Sequence, residues 1–230
     1  MDQIFKQARL LKAETTEADL ALINAQSLRP LEAQEIFAFR LAACDDQVDR
    51  DNERFTLQTL EGFARLFPGR PVLQDHKWSA GGQTARVYAA NVETDGDVHR
   101  LVLRCYMPRL QSNADTIAAI ESGILRECSV GVSVCRVICS ICGADQRKVW
   151  CEHCGGKEYD GEICCFELDG AEDAYEVSFV AVPAQREAGA IKSKRYGGPD
   201  GPESNPPGDP GNNNQDWQDE ALLELEKNRF

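Results

Sequence analysis

No stretch of this chain approaches the ~18 consecutive apolar residues that a helix needs to cross a bilayer. The opening Met1-Asp2-Gln3-Ile4-Phe5-Lys6 lacks the charged-then-apolar order of a secretory signal, so the expectation is a cytosolic protein. Bases are scarce relative to acids: 25 Lys and Arg stand against 38 Asp and Glu in 230 residues, a net charge of −13. General nucleic-acid or anionic-membrane binding depends on basic patches, so neither partner is expected. There is also no GxSxG elbow, Walker loop, HExxH or GxGxxG, and the chemistries that those motifs announce have no support here.

Cysteine, by contrast, is plentiful, with ten in the chain. In a chain of this length without an export signal, metal binding or plain burial is favoured over a disulfide framework. Six of the ten, at 139, 142, 151, 154, 164 and 165, crowd into one segment. Cys44, Cys105, Cys128 and Cys135 fall on or beside expected strands and need no disulfide.

The charge is uneven as well. Residues 197–230 carry −6 of the total and open with a run rich in Gly, Pro and Asn, whose composition cannot offset its ordering entropy. The expectation is a disordered acidic linker over 197–215, followed by an amphipathic helical tail over 216–230 capped by Asp216. Trp217, Ala221 and Leu225 would share one face of that tail as a docking peptide or as a helix packed on its own domain. Residues 1–29 are expected to form an N-terminal helical extension and 30–196 the body.

Within the body, Asp19 to Ser27 reads as helix, and Glu35 to Ala42 as a strand followed by a polar loop, Asp45 to Glu53. Thr56 caps a helix to Phe67 that Pro68-Gly69 ends. Arg70 to His76 reads as a strand, and Thr84 to Glu93 with Val98 to Met107 as a hairpin turning at Thr94-Asp95-Gly96-Asp97. A helix over Asn113 to Ser122 stops at Gly123, strands follow at Cys128 to Val137 and Glu176 to Val182, and an irregular insert covers 139–165. The class is α+β: a mixed or antiparallel, barrel-like sheet with flanking helices and a small zinc-knuckle insert.

In that insert, Cys139-Ser140-Ile141-Cys142-Gly143 and Cys151-Glu152-His153-Cys154-Gly155 are two CxxC knuckles. Each places two thiolates about a tetrahedral ion, and four thiolates close the shell, so the expected ligands of a structural Zn²⁺ are Cys139, Cys142, Cys151 and Cys154. His153 and Cys164 compete for the fourth place. The segment holds five acids and three bases, so a nucleic-acid role for the knuckles lacks an electrostatic footprint.

Three dispersed polar residues remain. His76 ends its strand beside Asp75. Ser129 begins the alternation Ser129-Val130-Gly131-Val132-Ser133-Val134, in which the valines suit the core and Ser129, Gly131 and Ser133 share the other face. Glu176 enters an otherwise apolar strand, where a carboxylate needs a partner such as Arg or His. A serine, a histidine and an acid can build an acyl-transfer site if the fold brings them together.

The order of these residues resembles the prohead (capsid maturation) proteases of tailed bacteriophages, serine peptidases distantly similar to herpesvirus assemblins. The resemblance covers about 30–193 and rests on Asp46-Gln47-Val48-Asp49-Arg50-Asp51, Val72-Leu73-Gln74-Asp75-His76, Cys128-Ser129-Val130-Gly131-Val132 and Tyr175-Glu176-Val177-Ser178-Phe179-Val180-Ala181-Val182-Pro183-Ala184. It implies His76 as base, Ser129 as nucleophile and Glu176 as the matching acid, with Asp173, Glu172 and, by analogy with assemblins, His99 as competitors. Cys128 is a second possible nucleophile, and the cysteine insert departs from the family pattern. The implied activity is endoproteolysis of scaffold and major capsid protein segments, and of the chain itself, inside an assembling procapsid in the bacterial cytoplasm. Self-association is a further possibility. A non-catalytic capsid assembly or scaffolding protein with the same body is the alternative.

Overall fold

The computed structural model describes residues 15–190 apart from 183, 186 and 187. The acidic linker and helical tail expected beyond 197, and the first 14 residues, lie outside the described residues. In chain order the elements are α1 (Glu17–Asn24), β1 (Ile36–Asp45), β2 (Glu53–Phe55), α2 (Leu57–Leu66), β3 (Pro71–Gln74), β4 (Ala85–Asp95), β5 (Val98–Pro108), α3 (Ala114–Ser122), β6 (Cys128–Cys139), β7 (Glu158–Tyr159), β8 (Glu162–Ile163), β9 (Phe166–Phe179) and β10 (Gly189–Ala190). No described helix is long and apolar enough to cross a membrane.

Local chemistry explains several boundaries. Thr56 Oγ1 accepts the Thr59 N–H at the start of α2, satisfying one of the amide groups that a helix start leaves unpaired. Gly123 ends α3 at φ 78°, a left-handed position that suits glycine. The β4–β5 hairpin pairs Asp95 with Val98 across Gly96-Asp97, and Gly96 supplies the positive φ of the tight turn.

Eight strands form one mixed sheet in the order β10-β1-β5-β4-β3-β9-β2, with β6 also paired to β9. Strand β9 is the hub. Its whole length runs antiparallel to β6, while its other edge is shared by β2 at Phe166–Leu168 and β3 at Val177–Phe179, both parallel to it. Between these two pairings the chain detours through α2. Leu60, Phe63 and Phe67 are fully buried there, each contributing roughly 1.5–3 kcal/mol of apolar burial. The core continues through Phe37, Phe39, Leu41, Leu101, Leu103 and Met107 of the sheet.

The sheet curls without closing into a barrel. Cys128 brings β6 beside β1 and β10, its Sγ donating to Ala42 O at 3.4 Å and its N–H to Ala188 O at 3.3 Å. No strand ladder joins β6 to β1. The α+β class with a mixed sheet and flanking helices is as expected from the sequence. The closing strand differs: it begins at Phe166, ten residues before Glu176, and ends at Phe179 rather than Val182. All ten cysteines are free thiols.

Candidate functional site

The antiparallel β6–β9 ladder sets the site. Ser129 lies opposite Ser178, and Gly131 opposite Glu176. Directly opposed residues share a sheet face, as do residues two apart along one strand. Ser129, Gly131, Glu176 and Ser178 therefore stand together on one face. Strand β3 is parallel to β9 on its far edge, with Leu73 opposite Ser178, and delivers His76 to the same place.

His76 reaches it through an unusual backbone. The strand stops at Gln74 rather than His76, and Asp75 and His76 follow with φ of 53° and 51°. Two successive non-glycine residues in the left-handed region carry strain that surrounding contacts must hold. Here the His76 N–H donates to Ser178 Oγ at 3.1 Å and the Asp75 N–H to Phe179 O at 3.0 Å.

The imidazole is held in turn. His76 Nδ1 lies 2.7 Å from Glu176 Oε1, and Ser178 Oγ donates to Glu176 Oε2 at 2.5 Å. Glu176 is 1% exposed while the His76 side chain is 42% exposed. A carboxylate only accepts, so Nδ1 is the donor in this contact, and in the neutral imidazole that leaves the lone pair on Nε2. A buried carboxylate is tolerated because both oxygens are engaged. Among the described residues no hydrogen bond joins Ser129 to His76. Tyr175 beside this set donates from its hydroxyl to Ser133 Oγ at 3.2 Å and packs against the exposed Trp78 at 6.0 Å between ring centroids.

The competing residues lie elsewhere. Asp173 pairs with Arg70 at 2.8 Å and Glu172 with Arg147 at 3.6 Å. His99 pairs with Asp46, Nδ1 to Oδ2 at 2.6 Å. Cys128 is fully buried on the opposite face from Ser129, and burial, with Glu127 nearby, pushes its thiol up to about 12. A protonated core thiol is not an available nucleophile.

A cavity of about 310 Å³ opens along the edge of β6 that faces away from β9. Ser129 and Ser133 line it together with Asp49, Asp51, Glu53 and Arg147, while His76 and Glu176 do not. Ser129 thus stands between the His76–Glu176 pair and this cavity. Burial raises the Asp49 and Glu53 carboxyls above their ordinary values, Asp51 adding to the effect.

The cysteine insert forms a second centre. Cys139, Cys142, Cys151 and His153 bring their ligand atoms within 4.8 Å of one another. Thiolates on one tetrahedral Zn²⁺ are about 3.8 Å apart, given Zn–S bonds of ~2.3 Å, so a small closure of this group would accommodate an ion. Two of the thiols, Cys139 and Cys151, are suited to it, while Cys142, although the Ala144 N–H opposes the shift, is raised by its neighbours. Burial pushes the Cys139 thiol up, but the Cys142 and Ile141 backbone N–H groups aimed at its sulfur outweigh this and lower it. Cys151 is likewise lowered despite burial, by the His153 backbone and side chain and by Gln146, whose Nε2 donates to Cys151 Sγ at 3.0 Å. His153 Nδ1 is buried with no hydrogen-bond partner among the described residues.

The fourth member of the group is His153, one of the competitors named for the place expected of Cys154. Cys154 is exposed and its Sγ turns to Glu152 O at 3.7 Å. Tyr159 contacts both residues, its hydroxyl accepting the Cys154 N–H at 2.9 Å while its ring stands edge-on to His153 at 4.6 Å. Cys164 stays beside the group, Sγ 3.9 Å from that of Cys139, with burial and this neighbour pushing its thiol up to about 11.

In comparisons with known proteins, the chain matches no family model, no curated protein and no solved structure. The likeness to prohead proteases therefore rests on the motif residues alone. Sequence reasoning gave no role to Ser178, although its spacing from Glu176 along an apolar strand places both on one face. It also passed over Asp49, Glu53 and Arg147 as cavity residues, since only the fold brings their loops together.

Proposed function

We propose that this chain is a serine endopeptidase of the prohead-maturation type, with Ser129 as nucleophile, His76 as general base and Glu176 as the acid that orients the imidazole. The observation that carries the proposal is the 2.7 Å contact between His76 Nδ1 and the buried Glu176 carboxylate, on the sheet face that also bears Ser129. In this reading Ser129 Oγ attacks the scissile carbonyl carbon as His76 Nε2 takes the hydroxyl proton. The tetrahedral intermediate collapses to an acyl-enzyme, and the proton passes to the leaving amine. Water then enters by the same base, releasing the new carboxyl end and restoring Ser129. The motif order supports scaffold and major capsid protein segments, and the chain itself, as substrates inside an assembling procapsid.

The Cys139, Cys142, Cys151 and His153 group would hold Zn²⁺ as a structural ion, since four protein ligands leave no open position for a substrate. Co-expression with the capsid and scaffold proteins tests the peptidase. Processing that is lost in Ser129→Ala and kept in Cys128→Ser supports it, and unchanged processing in Ser129→Ala overturns it. A second reading, a non-catalytic assembly protein with the same body, is favoured by one observation: among the described residues, Ser129 and His76 share no hydrogen bond. Ser129-dependent self-trimming, seen by mass spectrometry of the purified chain, decides against it.

A further inference from the structure

The cavity beside Ser129 has two polar walls, and both are tied to the second cysteine knuckle. Arg147 belongs to the first wall. Its N–H donates to Asp145 Oδ1 at 3.2 Å and its guanidinium lies 3.6 Å from Glu172. The residue before it, Gln146, is fixed at both ends: its N–H donates to Val137 O of β6 at 2.8 Å and its side chain to Cys151 Sγ at 3.0 Å. The second wall is the loop that carries Asp49, Asp51 and Glu53. Within it Asn52, at φ 58°, packs its side chain against Gly155 and Gly156 just after the second knuckle. A Cβ on Gly156 would come 3.0 Å from Asn52 Oδ1, and Asn52 O accepts the Phe166 N–H at 2.9 Å.

Backbone hydrogen bonds and the β7–β8 hairpin run through the insert, but apolar packing contributes little to its shape. Its buried apolar side chains are Cys139, Cys164 and Cys165 alone, while Val149, Trp150 and Ile163 are exposed. A segment with so small an apolar core takes its folding free energy from a metal. Ser129 and Glu176, by contrast, stand on strands of the main sheet, and His76 lies two residues past the end of β3.

We propose that metal at Cys139, Cys142, Cys151 and His153 braces the cavity beside Ser129, holding Arg147 on one side and the Asp49–Glu53 loop on the other. The metal thereby governs substrate binding and leaves the bond-breaking groups in place. The consequence for substrate rests on the peptidase reading; the brace itself does not. Loss of the ion releases the second knuckle, and with it both walls.

The test is hydrogen–deuterium exchange on the full chain loaded with one equivalent of Zn²⁺, before and after chelation. The expected result is exchange roughly tenfold faster or more over residues 49–55 after chelation, with residues 36–45 and 98–108 unchanged. Asn52→Gly keeps the left-handed backbone and removes the contact with the second knuckle. It should retain one equivalent of zinc and show the faster exchange over 49–55 without chelation. With a peptide substrate, chelation should raise KM several-fold and keep kcat within about twofold. Unchanged exchange over 49–55 after the ion is removed, or a chain that binds no zinc, overturns the brace. A zinc-loaded chain that shows the coupled exchange and cleaves no peptide supports the brace and overturns the peptidase reading.

Discussion

Gly131 faces Glu176 across the β6–β9 ladder, and a Cβ placed on it would come within 2.5 Å of Glu176 Oε1. That oxygen is the one His76 Nδ1 contacts. Glycine here keeps space for a buried carboxylate, so Gly131→Ala should push Glu176 off the imidazole. A displacement of about 1 Å costs on the order of 100-fold in rate, and kcat/KM for peptide hydrolysis should fall by about that much. The His76 ring resonances, followed by NMR, should show loss of the Nδ1 hydrogen bond. A variant with wild-type kinetics and spectra would remove Glu176 from the site.

Glu176→Gln keeps the volume and removes the charge. The amide can offer a donor where Nδ1–H needs an acceptor, which favours the wrong tautomer. An acid-to-amide change of this kind lowers kcat by about 10³–10⁴-fold in a serine, histidine and acid site. Urea unfolding measured alongside separates this from instability, since the glutamine can still accept from Ser178. A kcat within about tenfold of wild type would count against Glu176 as the orienting acid.

What the sequence made legible was what local chemistry decides: the Thr56 cap, the turn at Gly96, the stop at Gly123 and the alternation from Ser129 to Val134. The length of β9 was hidden because Asp169, Glu172 and Asp173 make it read as a loop. In the fold these acids pair with Arg136, Arg147 and Arg70, a satisfaction that no single segment displays. The β7–β8 hairpin did carry its signal: Asp160-Gly161 at φ 51° and 88° is a tight turn of the Asp-Gly kind. His76, Ser129 and Glu176 could be named one by one, but Ser178, which ties the His76 backbone to the Glu176 carboxylate, emerges only from the pairing of β9 with β3 and β6. Which of His153 and Cys154 joins the group is likewise a matter of the fold: Tyr159 of that same hairpin packs edge-on against the His153 ring and holds the Cys154 backbone N–H.

Ligand substitutions should separate those two neighbours. His153→Ala should weaken zinc affinity by at least about 100-fold, and Cys154→Ser should leave it within a few-fold. Gln146→Ala removes the donor to the Cys151 sulfur and should cost about 10–100-fold. Competition against a chromophoric chelator measures all three. Strong loss in Cys154→Ser with little in His153→Ala would restore the four-thiolate shell.

Cys128→Ser separates packing from chemistry. The thiol is fully buried where β6 approaches β1, donating to Ala42 O, so a hydroxyl there should cost about 1 kcal/mol of stability in urea unfolding. Peptide hydrolysis at a temperature where the variant is folded should be within about twofold of wild type. Loss of hydrolysis without loss of stability would move the nucleophile from Ser129 to Cys128.

Asp49 gives a pH test of the loop that walls the cavity. Its Oδ1 accepts the Asp51 and Glu53 N–H groups at 2.9 and 3.0 Å, yet burial holds its carboxyl above the ordinary 3.8. The folded protein therefore binds this proton more tightly than the unfolded chain does, and wild type loses stability as pH rises from 3.8 through the folded value. Asp49→Asn keeps the accepting oxygen and carries no charge. The two proteins should be equally stable below pH 3.8, with the variant gaining as pH rises and holding its advantage at pH 7. Partial exposure screens the effect, so the gain is small. Urea unfolding between about pH 3 and 7 measures it. A variant less stable than wild type at pH 7 would mean that the Asp49 charge supports the loop, and that the loop is shaped by an ionic contact rather than by its backbone hydrogen bonds.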